Sequence, residues 1–179
     1  MIDTLSIPTL SNIKAAHQVI DPYAHRTPVL SSNKVNIHAN ASVFFKCENF
    51  QKVGAFKFRG ACNAVLTLSD KDAEQGVATH SSGNHAQALA LAARIRGIKA
   101  YVVMPENAPK VKVEAVKNYG AEVTFCEASL DAREGTLKKV VERTGATTIH
   151  PYNDARIIAG QGTSAIEFLE ECPFLDVIM

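Results

Sequence analysis

The stretch Gly54-Ala55-Phe56-Lys57-Phe58-Arg59-Gly60 places a lysine between two phenylalanines, at the start of an apolar helical pattern. Apolar neighbours disfavour the charged ammonium form, and the positive end of a helix acts in the same direction. An uncharged lysine amine can attack a carbonyl group and form a Schiff base. The alternative is that Lys57 lays its stem over the phenylalanines and keeps its charge in water.

A second set of polar residues lies at a predicted turn between a strand and a helix: Ser81, Ser82, Gly83, Asn84 and His85. Backbone N–H groups at such a turn point outward and bind anions, helped by the helix dipole. A carboxylate is the expected guest in a small-molecule site. The structural alternatives are that one of the two serines caps the helix and that His85 is an ordinary hydrogen-bonded histidine. Arg59 is interpreted as an ion-pair partner rather than a catalyst.

The elements that would position these residues alternate regularly from Gly76 onward. Strands are predicted at 77–80, 99–104, 122–126 and 147–150, with helices between them that end at Gly97, Gly120 and Gly145. Strands that alternate with helices indicate βαβ units and a parallel sheet with right-handed crossovers.

The flanking segments are less regular. Ser11 is expected to cap a helix that runs to about residue 20. Residues 25–32 are expected to form a loop, and residues 42–48 are expected to form a strand. Two further helices are predicted, from residue 32 or 33 to 39 and from 56 to 68. Another helix, which follows the turn at 151–154, is predicted to end near residue 171, and a buried strand is predicted at 175–179. Gly160 and Gly162 fall inside the last helical pattern, where glycine costs stability. They predict a close approach of backbone to another element or to a ligand.

The composition is that of an ordinary globular protein of one or two small domains: 179 residues, 46% apolar and 21% charged. A net charge of +1 gives no electrostatic reason to expect a nucleic-acid or membrane partner. The four cysteines are far apart in the sequence and predict reduced thiols in a cytosolic protein. No apolar run reaches the length of a membrane span, and no histidine pair has metal-ligand spacing.

Lys57 and Ser82 together raise a family resemblance. Residues 54–60 resemble the Ser-Phe-Lys-x-Arg-Gly motif of the pyridoxal-phosphate enzymes of the tryptophan-synthase-β type, and residues 81–87 are similar to their substrate-carboxylate loop. His150-Pro151-Tyr152 and Ile158-Ala159-Gly160-Gln161-Gly162-Thr163 match later landmarks of the serine racemase and threonine dehydratase branch. The four motifs keep the family's order and cover nearly the whole chain.

The resemblance implies the fold of that family, known as fold type II: an α/β protein with parallel sheets in three layers, helices on both faces, and two domains. Dehydratases of the branch usually carry alanine where this chain has Ser82, so the resemblance implies racemisation of serine, with dehydration of serine as a companion activity. Lys57 would hold pyridoxal phosphate through a Schiff base and act as the base on one face of the substrate Cα. Ser82 would act on the opposite face, because inversion needs both. Asn84 would bond the 3′-oxygen of the cofactor, and the backbone of residues 81–85 would hold the substrate carboxylate.

The resemblance extends to effectors and assembly. Animal racemases of the family are stimulated by a nucleotide at the subunit interface, so ATP, Mg²⁺ and a homodimer are expected for the full-length protein. The matching positions are Ser31, Ser32, Lys52, Gln87 and Tyr119. Val53 departs from the usual threonine and counts against the effector. Ala55 departs from the usual serine and removes one hydroxyl near Lys57.

The family's chain continues beyond the length of this one with a glycine-rich phosphate loop, a divalent-cation site and a serine that faces the pyridine nitrogen. The resemblance therefore predicts that residues 1–75 begin a large domain, 76–153 form the small domain, and 154–179 start the returning large domain. This chain alone would then be weak or inactive. Two rival hypotheses stay open: an L-threonine/L-serine dehydratase, and a non-catalytic α/β module that binds a partner chain or an anion.

Overall fold

The computed structural model describes residues 7–179. Its helices are α1 (Leu10–Ile20), α2 (Asn33–Ala39), α3 (Lys57–Leu66), α4 (Asp70–Ala73), α5 (Asn84–Arg96), α6 (Lys110–Asn118), α7 (Leu130–Thr144) and α8 (Ala155–Glu171). Its strands are β1 (Val29–Ser31), β2 (Phe44–Lys46), β3 (Val77–His80), β4 (Ala100–Pro105), β5 (Glu122–Cys126) and β6 (Thr147–Thr148). Two short 3₁₀ turns, Glu48–Phe50 and Lys52–Gly54, precede α3.

The main sheet has the predicted parallel topology. Its four strands lie in the order β5-β4-β3-β6, and every pairing is parallel. Strand β3 lies between β4 and β6, so the chain segments that follow β3 and β6 leave the sheet side by side at its carboxyl edge. In open α/β sheets that edge is where ligands bind.

Helices cover both faces of this sheet. Alternate residues of β3 and β4 point to opposite faces, and the two faces belong to separate hydrophobic clusters: Val77 and Val102 pack with α5, whereas Ala78 and Val103 pack with α7. All residues of β3 and β4 are buried as a result. This two-sided burial confirms the predicted α/β fold class.

The predicted helix ends are largely correct. Gly97 and Gly145 adopt the left-handed conformation that ends α5 and α7. Ser69 caps α4, and its side chain accepts the backbone N–H of Asp72. The predicted cap of α1 is wrong: Thr9 is the N-cap, and its hydroxyl accepts the backbone N–H of Asn12 while the Asn12 side chain accepts that of Thr9. This reciprocal capping box satisfies two helix-end donors.

Two predictions for the flanking segments are also wrong. The expected loop at 25–32 contains strand β1. The strand expected at 42–48 is confirmed as β2, which pairs antiparallel with β1 and is limited to the three residues of that pairing. Residues 175–179 form no strand, and Val177, Ile178 and Met179 are exposed. A strand requires a hydrogen-bonded neighbour, and no strand of the described residues 7–179 pairs with this segment.

Helices α1, α3 and α8 pack together, and α3 crosses α8 at two glycines. A methyl group added at Gly160 would lie 2.6 Å from the Gly60 Cα and 2.7 Å from the Arg59 carbonyl oxygen. A methyl group added at Gly162 would lie 3.0 Å from Ile13. The predicted close approach at Gly160 and Gly162 is therefore confirmed, and its partners are other helices of the same chain. No helix within residues 7–179 is long and apolar enough to cross a membrane.

Candidate active site

Lys57 is the first residue of α3, and Phe56 precedes it as N-cap without a side-chain capping bond. Its side chain is half-buried. The Lys57 Nζ lies 4.9 Å from the centroid of the Phe56 ring and donates to the backbone carbonyl of Pro151 at 3.4 Å. The alternative that Lys57 lies over a phenylalanine and keeps its charge stays open, because the ring contact is one that a charged amine makes and the side chain is only half-buried.

The turn before Lys57 is strained. Val53 has a φ of 57° and Gly54 a φ of 69°, and a positive φ is a genuine outlier for a β-branched residue. The buried Gln51 side chain fixes the turn: it accepts the backbone N–H groups of His25 and Lys52 and donates to the His25 carbonyl. Such strain persists only where the surroundings enforce it, and it is common at functional sites.

Residues 81–85 form the connection from β3 to α5, as predicted. Gly83 is the N-cap of α5, and no side chain caps this helix. The Ser81 hydroxyl instead accepts the Gly83 N–H at 3.3 Å. The alternative that Ser81 or Ser82 caps the helix is therefore wrong, and the first-turn N–H groups of α5 are left without a side-chain acceptor. Uncapped donors at a helix N-terminus suit an anion such as a carboxylate.

Ser82 and Gly83 are half-buried and Asn84 is exposed. A second amine lies beside the turn, where a methyl group added at Gly83 would be 3.8 Å from the Lys112 Nζ. Lys112 was not predicted as a neighbour of this turn, because it lies on α6, far from residue 83 in the chain.

His85 is buried, with 3% of its surface exposed. Within the described residues neither ring nitrogen has a hydrogen-bond partner of good geometry, although the Ile149 backbone acts on the ring as a weak partner would. The ring therefore lacks the strong hydrogen bonds of an ordinary structural histidine. Burial lowers the pKa of His85 to about 4, and the positive charges of Lys57, His150 and His80 add to this while the Ile149 backbone opposes it. His85 is a neutral imidazole within electrostatic range of Lys57.

Two further imidazoles, which were not predicted as site residues, lie at this edge of the sheet. His80 ends β3 and His150 follows β6, and their ring centroids are 6.0 Å apart in an edge-to-face arrangement. The His150 Nδ1 accepts the backbone N–H groups of Asn153 at 2.8 Å and Tyr152 at 3.3 Å. Burial lowers the pKa values of both His80 and His150. The signal was available, because each histidine stands at the carboxyl end of a strand, but only the order of the strands makes them neighbours.

Arg59 is the ion-pair residue that the sequence predicted. It is fully buried and makes two bidentate pairs, to Glu48 at 2.8 Å through each of two nitrogens and to Glu167 at 2.6 and 2.9 Å. Lys46 adds a contact of 2.8 Å to Glu167. Burial alone would lower the pKa of Arg59, but the hydrogen bonds to both carboxylates raise it above its usual value. The network joins β2, the Glu48–Phe50 turn, α3 and α8.

The five expected nucleotide residues lie on four parts of the fold. Lys52 is in the strained turn with its Nζ 5.5 Å from the Phe58 ring centroid, Gln87 is in the first turn of α5, and Tyr119 follows α6. Helix α5 packs against both that turn and α6, so these three residues lie on elements in contact. Ser31 ends β1 and Ser32 begins α2. No cluster of three or more metal-ligating side chains occurs in the part of the chain that the structure describes.

Comparison with known proteins places these features in one family. The pattern of the family described as pyridoxal-phosphate dependent enzyme matches residues 20–179. The chain belongs to this family. It is 57% identical over 168 residues to a serine racemase from Arabidopsis thaliana, covering 94% of this chain and 51% of the relative. It is 52% identical over 173 residues to a β-hydroxyaspartate dehydratase from Paracoccus denitrificans, covering 97% of this chain and 55% of the relative.

Solved structures agree with this assignment. The structure of maize serine racemase superposes with a TM-score of 0.94 at 50% identity, covering 96% of this chain and 52% of that one. The chain thus spans about half the length of the relatives it matches. The fold is that of the pyridoxal-phosphate enzymes of fold type II.

The residues present fit pyridoxal phosphate in part. Lys57 has a half-buried amine at the carboxyl edge of the parallel sheet, which would suit the cofactor aldehyde. The side-chain amide of Asn84 and the N–H groups at the start of α5 are hydrogen-bond donors beside that edge.

Proposed function

We propose that the full-length protein is a pyridoxal-phosphate-dependent serine racemase that also converts serine to pyruvate and ammonia. The observation that carries the proposal is the meeting of two features at one edge of the sheet. The Lys57 amine contacts the Pro151 carbonyl just after β6, and the uncapped turn at residues 81–85 follows the neighbouring strand β3. High identity to proteins named serine racemase, over nearly all of this chain, supports the same activity.

The proposed chemistry divides between the two features. The cofactor, when bound, acts as an electron sink that stabilises negative charge at the substrate Cα. We assign to Lys57 the attachment of the cofactor and the removal or return of the Cα proton on one face. We assign to Ser82 the same proton transfer on the other face, since inversion at Cα removes a proton from one side and returns it to the other. In the companion reaction the Cα proton leaves, the Cβ hydroxyl departs as water, and hydrolysis gives pyruvate and ammonia.

The backbone of residues 81–85 is proposed to bind the substrate carboxylate, and Asn84 to donate to the cofactor 3′-oxygen. The uncapped first turn of α5 supports the first assignment because its N–H groups have no side-chain acceptor.

Schiff-base labelling tests the assignment of Lys57. The chain is incubated with pyridoxal phosphate, reduced with borohydride, and mapped by mass spectrometry. Label is expected on Lys57 and lost in Lys57→Ala. The matched control is Lys112→Ala, which removes the other amine beside the turn and should leave the Lys57 label in place. Label that follows Lys112 would overturn the assignment, and label on neither lysine would favour a non-catalytic module.

The change Ser82→Ala in the full-length protein tests the racemase assignment. Removing one of two bases should abolish racemisation and leave elimination of L-serine largely intact, measured by chiral chromatography and pyruvate formation. Racemisation that survives this change would remove Ser82 from the mechanism.

A lyase is the second candidate, because the 52% identical relative from Paracoccus denitrificans is a β-hydroxyaspartate dehydratase. An L-threonine/L-serine dehydratase belongs to the same class. Wild-type protein that forms pyruvate or another 2-oxo acid from hydroxyamino acids, with no D-serine at any time point, would decide for a lyase.

We further propose that the full-length protein is a homodimer with a nucleotide and Mg²⁺ as effectors. The contact of α5 with the Lys52 turn and with α6 supports a shared site for Lys52, Gln87 and Tyr119. A rise in activity with Mg-ATP that is lost in Lys52→Ala, together with sedimentation as a dimer, would support this. Unchanged activity would exclude the effector.

A further inference from the structure

We propose that His150 is a positioning residue: its neutral ring accepts two backbone N–H groups through Nδ1 and thereby holds the Pro151 carbonyl against the amine of Lys57. The inference rests on the proposed function only in taking Lys57 as the reactive lysine. It concerns the geometry of the amine, which can be measured without turnover.

The turn after β6 is built around one ring nitrogen. The His150 Nδ1 accepts the N–H of Asn153, three residues ahead, at 2.8 Å and that of Tyr152, two residues ahead, at 3.3 Å. An acceptor that bonds backbone N–H groups ahead of itself closes a turn, as asparagine and aspartate side chains do in loops. The residue enclosed by the turn is Pro151, whose carbonyl accepts from the Lys57 Nζ at 3.4 Å.

The two donors define the tautomer of the ring. Because both partners are N–H groups, Nδ1 must carry a lone pair and the proton must lie on Nε2. Packing holds the ring in place: it lies edge-to-face against Tyr152 at 4.5 Å and against His80 at 6.0 Å between centroids. A proton added at Nδ1 would face two N–H donors, and the turn would have to open.

Two carboxylates, Glu134 of α7 and Asp154 at the start of α8, act on the protonation of the ring. The ring in turn acts on His80 of β3 and His85 of α5, which Arg133 of α7 and Lys57 of α3 also affect, respectively. Burial lowers the pKa of His150, and Glu134 and Asp154 oppose that shift only in part. The ring is therefore neutral at a pH above the ordinary pKa of histidine, and the turn is intact there. The ring becomes protonated, and the turn is lost, as the pH falls below the lowered pKa.

The turn matters to Lys57 because a lysine side chain has many rotamers, and ordering it costs conformational entropy. A carbonyl at a fixed place selects those rotamers that keep the amine at the edge of the sheet. One such hydrogen bond corresponds to a change of about threefold to tenfold in the population of the ordered amine.

Two variants distinguish the contribution of the hydrogen-bond acceptor at residue 150 from the contribution of its aromatic ring. His150→Asn keeps a side-chain acceptor for the turn and loses the ring, whereas His150→Phe keeps an aromatic ring between Tyr152 and His80 and loses the acceptor. The readout is the rate of Lys57 reductive methylation by formaldehyde and cyanoborohydride, mapped by mass spectrometry, with circular dichroism to confirm folding. This rate needs no cofactor, so it remains informative even if pyridoxal phosphate does not label Lys57.

The proposal expects His150→Asn to react at a rate close to wild type and His150→Phe to differ about threefold to tenfold, while Lys112 reacts equally in all three proteins. Equal rates at Lys57 in the Phe and wild-type proteins would overturn it, as would equal changes in both variants. If His150→Phe fails to fold, long-range ¹H–¹⁵N spectra of the wild-type imidazoles decide. The proton must lie on Nε2 of His150, and an Nδ1–H tautomer would overturn the proposal.

Discussion

Replacing His85 by leucine should remove a large part of the acid sensitivity of the fold. The imidazole is buried with both nitrogens unpaired, and burial lowers its pKa from 6.5 to about 4. A group whose pKa is depressed by folding supplies stability above its unfolded pKa and withdraws it as the pH falls toward the folded value. At pH 7 the ring is neutral in both states, and as the pH falls from about 6.5 toward 4 the unfolded chain binds a proton that the buried ring does not, which lowers the free energy of unfolding.

The size of the effect follows from the shift. A change from 6.5 to about 4 corresponds to about 3 kcal/mol in total, of which about 2 kcal/mol is lost between pH 7 and pH 5. Glu167 and Asp154 also have lowered pKa values, but from ordinary values of 4.5 and 3.8. Their stability is lost only at lower pH, so the range from pH 7 to pH 5 isolates the histidines.

Urea denaturation of the chain at pH 7, 6 and 5 measures this decline in the free energy of unfolding. His85→Leu should reduce the decline by about 2 kcal/mol, and it should not weaken the fold at pH 7, since the ring forms no hydrogen bond that leucine would lose. His38→Gln, at an exposed position of α2, controls for loss of a histidine. The reasoning fails if the leucine variant keeps the full decline, or if NMR titration of the wild-type ring gives a pKa near 6.5.

Three further predictions concern packing and reactivity. Arg59→Met would leave Glu48 without its cation and Glu167 with Lys46 alone, and it should cost about 3 to 5 kcal/mol of unfolding free energy in urea denaturation. Gly160→Ala should lower the free energy of unfolding by about 1 to 3 kcal/mol, because the added methyl meets backbone at 2.6 Å. Gly135→Ala, on α7 with nothing within 4 Å, should raise it by about 0.5 to 1 kcal/mol. A change of the same sign in both variants would contradict the observed packing. Burial raises the pKa of the Cys62 thiol to about 12, so a disulfide reagent should modify half-buried Cys47 first and reach Cys62 only on unfolding.

The regular part of the fold was predictable from local signals. Each βα unit carries its own apolar run and helix stop, and Gly97 and Gly145 ended their helices as expected. These signals need no knowledge of distant residues. The strand at residues 175–179 was predicted by the same kind of signal and was wrong, because apolar content does not form a strand without a neighbour to pair with.

Only those parts of the site that are contiguous in the sequence could be predicted from it. Lys57 and the turn at residues 81–85 each show their chemistry within a few residues. The imidazoles that surround the amine do not, because His80, His85 and His150 come together only through the order of the strands and the entry into α5. The unpaired state of His85 was also beyond sequence reasoning, since whether a buried nitrogen finds a partner depends on the packing of distant segments.

The lysine at the start of α3 and the close backbone approach in α8 belong to the same helix crossing. Lys57 begins α3 and Gly60 lies one turn later, while Pro151 precedes α8 and Gly160 lies within it. Because the two backbones touch at Gly60 and Gly160, the start of α3 is fixed relative to the segment that leads into α8. The distance of 3.4 Å between the Lys57 amine and the Pro151 carbonyl therefore depends on having glycine at both positions of this crossing, as well as on the His150 turn. Gly160→Ala should change the rate of Lys57 methylation as well as stability, whereas Gly135→Ala should change stability alone.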